Sequence, residues 1–425
     1  MSRARWFVAA GVVTLALAWS AVPVFGQEYV WKSSYSGNWM TDTRWDPSGV
    51  PDSVGESATL PLLEGSPYSY AVLLDADVVV DRVTIDPLAA TLKLGHRSLT
   101  VTEPAGLTNG GLLFADGSGG AISGAVHNQT TGLITIDEGK DLTLSGADGI
   151  DNDGVIRVNT AGLPSPTSLS FSGSVTLSGS GSLELRYGGT AAVVTGGPGA
   201  VLTNGVGHGL LGDGRFEMPV VNEGLLSPGE SAGVLEVAAA LTQTASGTTA
   251  IDLLPPAGGG QAPPIQQDLL AVSGQASLGG TLAIEAAEGW SPEAGERFTV
   301  VTWSSRAGEY ETLTGWELPD RALVEEYTPG GLDLVVTYLG DANLDYEVNL
   351  LDLGLLADYW GVTDPTRSQG DLNRDGEVNL LDLGILASSW GDGTGGGAGG
   401  RLPEPAAAAI LLAGAGILLR RRNSY

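Results

Sequence analysis

Three short stretches decide how the chain is read: Asn109-Gly110-Gly111-Leu112, Asn152-Asp153-Gly154-Val155 and Asn222-Glu223-Gly224-Leu225. Each places Asn and Gly, the residues that enter left-handed backbone at least cost, just before an apolar run. Looser versions stand at Asn128 and Asn204, so successive Asn residues are 19, 24, 52 and 18 positions apart. Most of these intervals fit one coil of a β-solenoid of about twenty residues per turn, with two or more coils inside the long one. Around these corners lie short alternating or β-branched runs bounded by Gly, Asn, Asp and Pro, such as residues 70–81 (YAVLLDADVVVD), 155–158 and 168–185. Few segments keep a helical period, so the body from residue 28 to 338 reads as turn-rich β structure. A set of β-sandwich domains carries the same pattern and is the alternative architecture.

The composition agrees with a folded chain. Its 425 residues include 64 Gly, 42% hydrophobic residues and a formal net charge of −29. An acidic disordered chain would be poorer in apolar residues, and no Gly-X-Y period points to collagen. There is no Cys, which excludes disulfides, thiolate zinc sites, iron–sulfur clusters and thiol nucleophiles. A surface this acidic repels phosphate, so nucleic acid is excluded as a partner, and metal cations are the natural counter-charge.

The most specific repeat lies near the C-terminus. Gly340-Asp341-Ala342-Asn343-Leu344-Asp345-Tyr346-Glu347-Val348-Asn349-Leu350-Leu351-Asp352-Leu353-Gly354 recurs as residues 370–384, and the 22-residue windows ending at Gly361 and Gly391 share 16 identities. In each copy oxygen side chains hold the first, third, fifth, ninth and twelfth places of a twelve-residue loop, the spacing of an EF-hand-type calcium loop. Asp341, Asn343, Asp345, Asn349 and Asp352 are therefore assigned to one calcium ion, and Asp371, Asn373, Asp375, Asn379 and Asp382 to a second. Glu347 and Glu377, in the seventh places, offer main-chain oxygen. After each loop a helix is expected, with Leu350, Leu353, Leu356, Ala357 and Trp360 on one stripe and Leu380, Leu383, Leu386, Ala387 and Trp390 on the other. Residues 339–391 hold ten acidic and two basic residues, and a net −8 loosens the module when no cation is bound.

This unit resembles a type I dockerin. The resemblance implies two calcium ions and docking to a cohesin-like protein partner, as in assemblies that gather polysaccharide-degrading enzymes. Two departures stand out. Tyr346 occupies the sharp-turn place held by Gly376 in the second copy, so the first site is expected to be the weaker. Leu350-Leu351 and Leu380-Leu381 stand where dockerins of cellulosomes often carry small hydroxyl residues used in recognition. The stretch with Trp31, Ser36-Gly37-Asn38-Trp39, Trp45-Asp46 and Val50-Pro51-Asp52 looks like the opening of autotransporter-associated β-helix repeats, found in exported planctomycete proteins. Asn222-Glu223-Gly224-Leu225-Leu226-Ser227-Pro228-Gly229 and Asp268-Leu269-Leu270-Ala271-Val272-Ser273-Gly274 are similar to the end of such a helix. This second resemblance implies a mainly β fold, a right-handed parallel β-helix with a β-rich cap, without implying an enzyme.

Both ends read as addresses. Arg3 and Arg5 precede an apolar stretch from Trp6 and a small-residue end at Gly26, the layout of a secretory signal peptide. Pro403-Glu404-Pro405, fourteen small or apolar residues and Arg420-Arg421-Arg422 resemble a PEP-CTERM sorting signal, which implies an exosortase-type partner and display at the cell surface or in the extracellular matrix. The short transmembrane helix expected there, about 21 Å long, would anchor the chain transiently or permanently. The domains are thus a signal peptide at 1–26, a β-solenoid at 27–253, a β-rich cap at 254–338, the calcium module at 339–391, a Gly-rich linker at 392–401 and the sorting tail at 402–425.

Catalytic groups are sparse. Asp75, Asp77 and Asp81 form one carboxylate group, with Asp75 and Asp77 on one strand face, and Asp148, Asp151 and Asp153 form another that reads as a turn. His96 and His208 read as exposed turn residues, and Trp31, Trp39 and Trp45 as a cap over the first coil rather than a sugar-stacking platform. No catalytic residue is assigned. The expected function is non-enzymatic calcium-dependent docking. The alternative is a polysaccharide-binding or polysaccharide-degrading component, a glycoside hydrolase or lyase, acting on extracellular polysaccharide.

Overall fold

The computed structural model describes residues 26–63, 69–87, 90–146, 149–160, 164–186, 191–229, 232–255 and 267–393. Residues 1–25 and 394–425, where a leader and a sorting tail are expected, lie outside them. Among the described residues no helix is long and apolar enough to cross a membrane.

Each short β-branched run makes one side of a coil. Arg82–Ile85, Ala90–Lys93 and Ser98–Val101 follow one another with Val83, Ile85, Leu92, Leu99 and Val101 buried and Thr84, Thr91 and Thr100 on the outside. The next coil repeats the pattern one layer on. Leu107 lies parallel beside Val83, Leu113 beside Leu92 and Ile122 beside Leu99. Continued along the chain, this produces three sheets of 13, 12 and 12 strands among the described residues, made of every third strand except at two edges, where Trp45–Asp46 and Gly331–Tyr338 add on antiparallel. Period-2 alternation puts one apolar row of every strand into a shared core, and burying each Leu, Ile or Val side chain contributes about 1.5–3 kcal/mol. Coils run from 16 residues, Leu210 to Leu226, to 35, Leu241 to Ala276.

The Asn-Gly corners act differently from the expected left-handed turns. None of Asn109, Asn128, Asn152, Asn204 and Asn222 has positive φ, nor do Gly154 and Gly224. Gly is required there because coils stack backbone on backbone. A Cβ on Gly154 would lie 2.2 Å from the Gly132 carbonyl oxygen, and one on Gly224 would lie 2.3 Å from that of His208. The Asn side chains point inward, fully buried, and bond along the solenoid axis. Asn109 Nδ2 donates to Asn128 Oδ1 at 2.7 Å, Asn128 Nδ2 to Asn152 Oδ1 at 2.7 Å, Asn204 Nδ2 to Asn222 Oδ1 at 2.8 Å and Asn222 Nδ2 to Gln243 Oε1 at 3.1 Å. The second amide hydrogens close onto backbone carbonyls, such as Leu225 O from Asn204 at 3.0 Å.

The 52-residue interval contains one further strand of the same sheet, Val175–Ser178, where the register slips. Leu177 pairs with Ile150 on one side and with Asn204 on the other, so no Asn falls in line. His208 bridges the break. Its Nε2 accepts from Asn152 Nδ2 at 2.9 Å, and its Nδ1 donates to Asn204 Oδ1 at 2.7 Å. Expected on the surface, His208 is instead fully buried, and burial pulls its pKa down to about 4.

The ends of the solenoid are closed by different means. Trp31, Trp39 and Trp45 are completely buried over the first coils, their rings meeting edge to face at 5.0–5.1 Å, and their indole N–H groups bond to the carbonyls of Ser33, Pro51 and Trp39. At the other end parallel pairing continues past residue 253 to Thr312–Thr314. There the hairpin of Arg321–Tyr327 and Gly331–Tyr338 pairs antiparallel onto Arg297–Thr302 and covers the last edge. A second, separate core begins beyond it, built from Ala342, Val348, Leu356, Leu372, Val378, Leu383 and Leu386.

Candidate metal centre

Each duplicated loop ends as the first turn of a helix, α1 (Leu350–Asp358) and α2 (Leu380–Ser388). The ninth and twelfth places form the cap. Asn349 Oδ1 accepts from the Leu351 N–H at 2.8 Å while Asp352 Oδ2 accepts from the Asn349 N–H at 2.9 Å, and Asn379 and Asp382 repeat this at 2.8 and 2.8 Å. The two copies then interlock through their eighth residues. The Gly391 N–H, after α2, donates to Val348 O of the first loop at 2.9 Å, and the Gly361 N–H, after α1, donates to Val378 O of the second at 2.9 Å. Neither copy keeps its backbone satisfied alone.

The loops bend at their fourth and sixth places, where Leu344 (φ +61), Tyr346 (φ +63), Arg374 (φ +59) and Gly376 (φ +86) are left-handed. Only Gly376 adopts this without cost. Tyr346, as its place in the repeat implied, carries strain of about 1–2 kcal/mol that the second loop avoids. The fourth-place bend recurs in both copies without Gly, which left no mark in the sequence.

The loops gather acidic oxygens inside the protein. Asp341, Asp352, Asp371 and Asp382 are all buried. Asp341 accepts from the Leu344 N–H at 2.8 Å, the Tyr346 N–H at 3.0 Å and the Thr337 hydroxyl. Asp371 accepts from the N–H groups of Asp375 and Gly376 at 3.2 and 3.0 Å. Asp352 and Asp382 also take the N–H groups of the second places, Ala342 and Leu372, at 2.8 Å each. Burial pushes the carboxyls of Asp341 and Asp371 above the usual range, and the twelfth-place Asp of each loop pushes the same way. Asn343 and Asn373 donate to Asp345 and Asp375 at 2.9 and 2.8 Å, and the Asn373 bond holds the Asp375 carboxyl below its usual range. Asn349 Nδ2 points to Glu347 at 3.3 Å, whereas Asn379 Nδ2 points to Asp375 rather than Glu377, at 3.5 Å.

The donor chemistry fits a hard divalent cation. Every side-chain donor assigned in the two loops is oxygen, and among the described residues no Lys, Arg or His forms an ion pair with the four buried carboxylates. The loops are looser than a finished cage. Among the described residues no three acidic or imidazole groups converge on one metal position, because loop N–H groups and the Asn amides occupy the oxygens instead.

Other expectations move. Leu350 and Leu380, placed on the buried helix stripes by their spacing, are 71% and 65% exposed, and Leu351 and Leu381 are 63% and 62% exposed. The loop residues Val348 and Val378 fill the core in their stead, because the capped first turn directs the Leu pairs outward. Asp75 and Asp77 lie in a corner rather than on a strand, and each caps a backbone N–H, of Met40 and Ser98, at 3.0 Å. Asp81 accepts from Gly55 N–H and Thr102 Oγ1, and Asp153 from the Ser180 N–H and hydroxyl. Asp148 lies outside the described residues. No curated protein matches the chain. Residues 339–389, which hold both loops and both helices, match the model of the dockerin type I domain, a family that binds calcium and docks to cohesin partners.

Proposed function

We propose that this is an exported, non-enzymatic surface or matrix protein, a right-handed β-solenoid that carries a calcium-dependent docking module. The observation that carries this reading is the pair of buried carboxylates, outside any salt bridge among the described residues, in each copy of a duplicated loop, Asp341 with Asp352 and Asp371 with Asp382. Asp341, Asn343, Asp345, Asn349 and Asp352 with the Glu347 carbonyl would hold one ion, and Asp371, Asn373, Asp375, Asn379 and Asp382 with that of Glu377 the other. Bound calcium would supply positive charge directly among the ligand oxygens, which Arg374, turned toward Glu325, does not. The remaining work is done by the chain: the capped helices fix the ninth and twelfth places, and the interlocked eighth residues tie one loop to the other. The outward Leu350-Leu351 and Leu380-Leu381 pairs then form two equivalent apolar contacts for a cohesin-like partner whose matching surface is apolar rather than hydroxyl-lined.

A non-catalytic body is supported by the corner carboxylates, which cap backbone N–H groups, and by the burial of the three N-terminal Trp rings, which present no face for sugar stacking. Export, reading of the tail by an exosortase-type enzyme and anchoring rest on the two terminal segments. Calorimetric titration of the mature chain with calcium tests the module, and two ions per chain are expected. Capture of a partner from the secreted fraction should be abolished by a chelator and by Leu351→Asp with Leu381→Asp. Retention of the partner under both conditions excludes docking through this face.

A further inference from the structure

The second loop does not stand free of the solenoid. Arg374, in its strained fourth place, turns its guanidinium away from the loop: Nη1 and Nη2 donate to the two oxygens of Glu325 at 3.1 and 2.5 Å, and the group lies 5.4 Å from the Trp316 ring. Glu325 belongs to the closing hairpin of the body. Arg367, buried just before the same loop, donates to the carbonyls of Tyr338 at 3.1 Å and Leu339 at 2.7 Å, where the last body strand ends, and to Leu372 O inside the loop at 3.2 Å. Asp371 and Gly376 line the same cleft as Glu325 and Tyr327. The first loop has Leu344 in the equivalent place, partly exposed, so the arrangement is specific to one copy of the repeat.

We propose that Glu325 and Trp316 are positioning residues for the second calcium loop: by holding Arg374 they fix the bend through which Asp371 and Asp375 are presented, so the body sets this loop's affinity and calcium in turn locks the module to the cap. The inference rests on the calcium reading of the loops. The bidentate fork matches a carboxylate in a way a Lys could not, and the half-buried setting makes each partner costly to leave alone. Reciprocity is required, because a contact that favours the loaded loop must itself be favoured by loading.

A simpler charge effect makes a different prediction. If Arg374 only repels the ion and Glu325 only screens it, removing Arg374 strengthens binding. If the pair is a clamp, either removal weakens it and removing both costs no more than removing one. The test is calorimetric calcium titration of the mature chain, comparing wild type, Glu325→Gln, Arg374→Ala, the double variant and Arg374→Lys, together with hydrogen exchange of residues 321–338. We expect about tenfold weaker binding at one of two sites in every variant, no addition in the double variant, and loss of the calcium-dependent protection of the hairpin. Arg374→Ala that binds as tightly as wild type, or more tightly, overturns the clamp while leaving the calcium reading intact. A wild-type chain that takes up no calcium removes both, and circular dichroism of the intact β body identifies any variant that has merely unfolded.

Discussion

The body and the module both bury polar side chains, and they resolve the cost in opposite ways. In the solenoid the axial row of buried groups is one of neutral amides, each of which donates to the next from Asn109 to Gln243, with His208 as the splice, and the one buried carboxylate among its described residues, Asp268, accepts from backbone N–H groups. In the module they are carboxylates, Asp341, Asp352, Asp371 and Asp382, which accept loop N–H groups, with the buried Arg367 guanidinium nearby. A buried amide is satisfied by another amide, whereas a buried carboxylate needs a counter-charge as well. The axial row of the first region is therefore complete in its own sequence, and on the proposed reading the second is completed by a cation.

Removing calcium should separate the two regions most sharply. With a chelator, α1 and α2 should be lost while the β signal of the body persists, since each uncompensated buried charge costs about 3–5 kcal/mol. Helical content unchanged by chelation, followed by circular dichroism, would erase the distinction drawn above. Acid should reverse the vulnerability. His208 is neutral in the fold, with its pKa drawn down to about 4, and in the unfolded chain it titrates near its ordinary 6.5. The unfolded state therefore binds more protons between those values, and stability present above pH 6.5 is lost as the pH falls toward 4, by about 3 kcal/mol. Protonation also puts an N–H against the Asn152 amide donor. Asp268, also buried, has its pKa raised to about 7, which opposes the trend, so the measurement is the difference in unfolding free energy between wild type and His208→Gln across that range. An identical pH slope in the two chains would acquit His208.

A smaller effect comes from interrupting the ladder elsewhere. Asn128→Ala leaves the Asn109 donor and the Asn152 acceptor without their partner and should cost about 1–3 kcal/mol in denaturant unfolding of the body, with calcium binding unchanged. The smallest concerns the difference between the two loops. Tyr346→Gly removes about 1 kcal/mol of left-handed strain and should bring the first site roughly fivefold closer to the second in a stepwise titration. A ratio of affinities that stays put would locate their inequality in the Arg374 contact instead.

What could be read from residues alone follows the same division. The turn-bounded apolar runs and the Asn intervals identified the coils, because parallel stacking forces period 2 within a strand and a similar length between strands. The purpose of the Asn residues escaped, since an Asn beside a Gly looks the same whether it turns the chain or bonds along it. His208 escaped for a related reason: its role depends on a register slip at Leu177 that no local pattern records. In the module, the proposed ligand places follow from spacing within twelve residues, so they could be named before the fold was known. Leu350 and Leu380 were misplaced because a helical stripe was drawn through a first turn whose direction the loop caps decide. Glu325 and Arg374 are 49 residues apart in unrelated elements, so only the folded chain brings them together.

The ladder has one further property, a sense of direction. From Asn109 onward every link hands its hydrogen forward, leaving Asn109 Oδ1 without a partner at the start, so one amide cannot be reversed without reversing its neighbours. Such a stack reads like a row of tiles with a tongue and a groove. A coil bearing Asn at the same place could be added or removed between Asn109 and Asn128 with both joints still matching, which makes the length of the body a quantity that evolution or a designer can adjust one layer at a time.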